Sequence, residues 1–111
     1  MSPDIDESDW KQFQKLHSVA LERYCQRVLD ELGAISSDIS KSAHERYLEI
    51  HRLNTSRHKE LAQTFDDLRR STAFLHIFAI QSLGLLAEQE FKLFTQETQD
   101  RINVLLEDRR A

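Results

Sequence analysis

Side chains able to handle protons and phosphates crowd into the middle of this chain: His44, His51, His58 and His76 lie among Arg46, Arg52, Arg57, Arg69 and Arg70. His44, His51 and His58 recur at a constant step of seven residues, which places them on one helix face about 10 Å apart. That spacing is too wide for one metal ion. It suits a polar seam between helices, one that loosens as imidazoles charge near pH 6. It equally suits three exposed or boundary histidines that fall in register. Tyr47, Asn54 and Leu61 lie beside them in the same frame. Arg52, Arg57, His58 and Lys59 form a local basic patch answered by Asp66 and Asp67, the pattern of a solvated face. His76 sits in an apolar run and reads as a hydrogen-bonded core histidine. Cys25, the one cysteine, reads as a small buried hydrophobe. No Glu-x-x-His occurs, His44-Glu45 lacks the second zincin histidine, and no glycine-rich phosphate loop is present. No metal or other cofactor is expected.

One spacing resembles a known family. Arg46-Tyr47-Leu48-Glu49-Ile50-His51 reads Arg-x4-His, while Arg52 to His58 and Arg70 to His76 read Arg-x5-His. Arg46 with His51 is similar to the pair that small helical HEPN ribonucleases carry on one helix. The resemblance implies a dimeric ribonuclease in which two protomers form a cleft, with His51 as general acid or base and Arg46 as phosphate clamp. Such domains usually carry a polar residue after the arginine, and Tyr47 stands there instead.

Elements must position these residues, and composition says which kind. A chain of 111 residues with two Gly and one Pro has little to punctuate strands and hairpins, so one all-α domain is expected. A net charge of −4 gives no overall attraction to nucleic acid, which is not expected as a partner. The acidic start is unlike a secretory leader, and with one cysteine it suggests a reducing, cytoplasmic setting.

The periodicity predicts three long helices. The first opens at Asp6–Asp9, follows Phe13, Leu16, Ala20, Tyr24 and Val28, and ends on Gly33 as a left-handed cap. The second starts with a capping box, Ser42 to Glu45, and carries Tyr47, Ile50, Leu53, Leu61, Phe65 and Leu68. A break near Asn54 would make a fourth helix. A turn is expected near Arg70–Thr72, and a third helix from about Thr72 to Glu107. The fold is thus an antiparallel bundle over residues 7–108, behind a disordered stretch 1–6.

Residues 71–87 contain no formally charged side chain, although 31% of the chain is charged. A helix apolar nearly all round must be covered on most sides. Two neighbouring helices would leave one side bare, so a self-associating helical interaction module, not an enzyme, is expected. The contact would use Phe74, Phe78, Ile80 and Leu85 in a homodimer or higher oligomer, or with another protein. Membrane association through 71–87 is the remaining reading; the run is short for a span and is diluted by His76, Gln81, Ser82 and Gly84.

Overall fold

The computed structural model describes residues 5–110, all helix and loop, with no strand among them. Residues 1–4 of the expected disordered stretch lie outside the described residues. Ile5 does not follow that expectation, because its side chain is buried in the core.

The first helix, α1, spans Glu7–Ser36. Asp6 caps it by accepting from the N–H and hydroxyl of Ser8, and these bonds hold its carboxyl below the usual carboxylate range. Gly33 does not end it. The helix continues for one more turn because its terminal carbonyls find donors: the Ser37 N–H reaches Gly33 O at 3.0 Å, and Arg46 Nη1 reaches Ser36 O at 2.5 Å from across the hairpin. The second helix, α2, spans Ala43–Phe65 and begins on the expected capping box, with Glu45 N–H donating to Ser42 Oγ at 3.1 Å and Ser42 N–H to Glu45 Oε1 at 3.4 Å. It does not break at Asn54; the Thr55 hydroxyl folds back on His51 O inside an unbroken helix.

Asp67 has a positive φ of 66°, a conformation Asp tolerates better than most residues. The chain therefore turns over 66–69, and the expected Arg70–Thr72 site becomes a 3-10 turn leading into α3, Ala73–Ser82. The long third helix does not form. After α3 the backbone reverses at Gly84, also at φ 66°, then makes the short α4, Glu88–Phe91, and finally α5, Gln96–Arg110. Gly84 is thus a terminator, not a kink inside a helix.

Side-chain pairs give the directions. His17 meets Phe65 and Tyr24 meets Arg57, so α2 runs opposite to α1. The Arg70 guanidinium pairs with the Glu7 carboxylate, and Arg23 and Arg27 reach residues 83–85, so α3 runs with α1. Asp9 meets Thr95 and Thr98, and Arg101 and Arg109 lie over Phe74 and Phe78, so α5 runs the same way and the segment 83–95 makes the return.

The core lies at one end of a molecule measuring 57 × 29 × 23 Å. Phe13, Leu16, Ala20 and Tyr24 of α1 meet Phe65, Ile77, Ile80, Leu85, Leu86, Phe91, Phe94 and Ile102 there. Each such side chain contributes roughly 1.5–3 kcal/mol by leaving water. Beyond it the α1/α2 hairpin projects as an arm; no side chain between Tyr24 and Thr64 is buried. The ten residues of α3 extend about 15 Å, half of a bilayer core. No described helix is long and apolar enough to cross a membrane.

Candidate functional site

The Arg–His spacings do not converge. Arg46 is half-buried and donates to the end of α1, while His51 is exposed and lies about 140° away around α2 at 100° per residue. Arg57 pairs bidentately with Glu31 at 3.0 and 2.9 Å, an ion pair that raises the arginine and holds the Glu31 carboxyl below its usual range. Arg70 is engaged by Glu7 and lies 5.9 Å from the Trp10 ring centroid. Arg46, Arg57 and Arg70 are thus committed to holding elements together, whereas Arg52 is exposed on α2. Among the described residues, no three His, Cys, Asp or Glu side chains gather as metal ligands would.

His44, His51 and His58 are all exposed on one flank of α2. His58, Asn54 and Leu61 face Cys25, Leu29 and Leu32 of α1 across a groove of about 220 Å³. Cys25 is only half-buried. This groove, on the arm, is the one place where residues expected at a seam meet apolar partners.

The expected contact on residues 71–87 is rearranged. Ile80 and Leu85 are each 1% exposed and belong to the chain's own core. Phe74 is half-buried under the Arg101 guanidinium at 3.8 Å, and Phe78 lies beside Arg109 at 5.8 Å. The run has more cover than two helices supply, because the 83–95 return and α5 close over it. Leu75 alone stays prominent, at 62% exposure.

Two polar clusters escaped the sequence. Asp9, 1% exposed, accepts from Thr95 N–H at 2.8 Å, Thr95 Oγ1 at 2.6 Å and Thr98 Oγ1 at 2.6 Å. One carboxylate from the first turn of α1 thus holds the start of α5, where Thr95 Oγ1 in turn accepts from the Thr98 N–H at 3.5 Å. The local signal was Thr95-Gln96-Glu97-Thr98, a Thr cap with an acid in the first turn, lost inside an apparently continuous helical pattern. In the second cluster Arg23 binds Glu90 bidentately and Leu85 O, while Arg27 binds Leu83 O and Gly84 O. Glu90 also accepts from Ala87 N–H at 2.7 Å; Arg23 and that bond hold its carboxyl below the usual range. These two arginines fix the chain reversal at Gly84.

Tyr24 is no base. Its single hydroxyl proton is shared between two acceptors, Arg57 O at 2.9 Å and Glu60 Oε1 at 2.8 Å, and burial with that acidic neighbour pushes the phenol upward.

His76 is buried, as expected, but its Nδ1 has no hydrogen-bond partner among the described residues. Burial, with a smaller push from His17 and an opposing pull from Asp67, lowers its pKa below the ordinary 6.5. A histidine lowered on folding is more readily protonated in the unfolded chain. Its stabilising effect is therefore complete above about pH 6.5 and is lost as pH falls from there toward the lowered value. Thermal melts should accordingly weaken from pH 7 downward through this window, and His76→Gln should flatten that slope; an unchanged slope in the variant would assign it elsewhere.

No protein-family model, no curated protein and no solved structure matches this chain.

Proposed function

We propose that this protein is a non-enzymatic helical association module that works by presenting its α1/α2 arm to a protein partner. What carries the reading is the arm itself. Over its length two helices pack on one another with no third layer, and Leu29, Ile39 and Tyr47 stay 61%, 93% and 68% exposed. Each of these helices has one neighbour there and leaves the rest of its circumference to solvent. A soluble chain keeps such apolar area for an interaction. The arm is nevertheless well defined, by the Glu31–Arg57 pair, the Arg46–Ser36 bond and the Ser42 capping box.

The catalytic alternative has less support, because Arg46 is engaged and His51 is turned away from it. Incubation with structured and single-stranded RNA should leave both intact. Cleavage that vanishes in both Arg46→Ala and His51→Ala would replace this reading with the nuclease.

A further inference from the structure

We infer that the arm face turned away from α3 seats a second copy of this chain, two hairpins closing into a four-helix bundle about a two-fold axis along their length. This rests on the association reading above and names the partner.

The face is set by helical rotation. On α1, Ala20, Arg23 and Arg27 lie on the flank that holds the core and the 83–90 segment. Cys25, Leu29 and Leu32 lie on the opposite flank. On α2 the same side carries Tyr47, His58 and Leu61. Nothing of α3, α4 or α5 covers it, so a second hairpin can approach without meeting the core end.

Area favours a copy of similar size. The 23 residues of α2 extend about 35 Å, and two helices side by side are about 20 Å wide. That is roughly 700 Å² per copy and about 1,400 Å² for a pair, within the ~1,200–2,000 Å² that specific interfaces bury.

Charge favours it too. Between Ser18 and Ser36 this flank of α1 has one formally charged side chain, Glu22, and on α2 the groove carries only Arg57, already paired with Glu31 of its own chain, besides His44, His51 and His58 along the flank. A two-fold axis along the hairpin lays α1 of each copy on α2 of the other. Tyr24 reaches Arg57 and Glu60, so residues near 24 share a level with residues near 57–60. Glu22 of one copy then stands near the partner's His58, twice over. The surface sets the apolar Cys25, Leu29 and Leu32 of α1 against the largely uncharged, polar flank of the partner's α2 and is complementary to itself at its rim, as an isologous contact requires.

Sedimentation equilibrium of the full chain at micromolar concentration tests this. The expected mass is near twice 13.1 kDa. Leu29 is exposed, so Leu29→Glu should keep full helicity as a monomer while weakening the dimer more than about tenfold, by burying an unpaired charge, and should make the melting temperature less dependent on concentration. Glu22→Lys should weaken it as well, and Glu22→Lys with His58→Glu should restore it. A monomer throughout, or a dimer indifferent to Leu29→Glu, would overturn the second copy as occupant. If RNA also stays intact, only the occupant is wrong and the association reading stands; RNA cleavage lost in both nuclease variants would remove both.

Discussion

Ile80→Asp is expected to unfold this protein. Ile80 is 1% exposed in α3, within the core cluster that includes Ile77 and Leu85. Removing its aliphatic side chain alone costs about 2–5 kcal/mol, as for other large-to-small core changes. The new carboxylate adds the cost of an unpaired charge in an apolar interior, which it can lessen only by staying protonated. Together these approach the roughly 5–15 kcal/mol that holds an ordinary domain folded. Circular dichroism should show helicity lost at room temperature, and any association should go with it. Ile80→Val, costing about 0.5–1.5 kcal/mol, should remain folded. Retention of both helicity and the melting transition in Ile80→Asp would show that α3 is not the centre of the core.

Asp9→Ala should be the next most damaging single change. The Asp9 carboxylate has three donors, two hydroxyls and one backbone N–H, and ties the first turn of α1 to the start of a helix far along the chain. Hydrogen bonds to a charged group contribute roughly 1.5–3 kcal/mol each and are not additive. Losing the carboxylate leaves the Thr95 N–H and the two Thr hydroxyls without their acceptor. A net loss of about 3–5 kcal/mol is expected, which at about 4–8 °C per kcal/mol lowers the melting temperature by ~15 °C or more. Asp9→Asn keeps the shape and one acceptor and should lose less. Thr98→Val removes one donor of three and should lose about 1–2 kcal/mol. Hydrogen exchange in Asp9→Ala should rise first in α5. A melting temperature within a few degrees of the parent would mean that α5 is held by packing through Ile102 alone.

Local signals carried the first half of the fold. The α1 periodicity and the Ser42–Glu45 capping box act over three or four residues, so the sequence shows them directly. The end of α2 was legible to within a few residues, because Asp66-Asp67 and Arg69-Arg70 interrupt the apolar pattern whether or not anything packs there. The all-helical class followed from the scarcity of Gly and Pro together with that periodicity.

The second half was decided by contacts distant in sequence. The third helix read as continuous because its apolar residues keep helical spacing through Gly84 and Thr95. What breaks it is Arg23 and Arg27, which bind carbonyls and Glu90 at sequence separations of 56 to 67, and Asp9, which holds Thr95 from 86 residues away. Gly in a helix costs about 1 kcal/mol against Ala, a small bias that neighbours can tip either way. At Gly33 the helix goes on, since Arg46 satisfies the end of α1 one turn later; at Gly84 it stops, since two guanidinium groups collect the freed carbonyls. The same folding moved the exposed surface. Ile80 and Leu85 went inside because the 83–95 return covers them, while Leu29 and Tyr47 stay exposed on the arm, beside a histidine register that suited either a seam or an open flank. Side-chain spacing fixes which residues share a face; only the packed chain determines which of those faces is left without a neighbour.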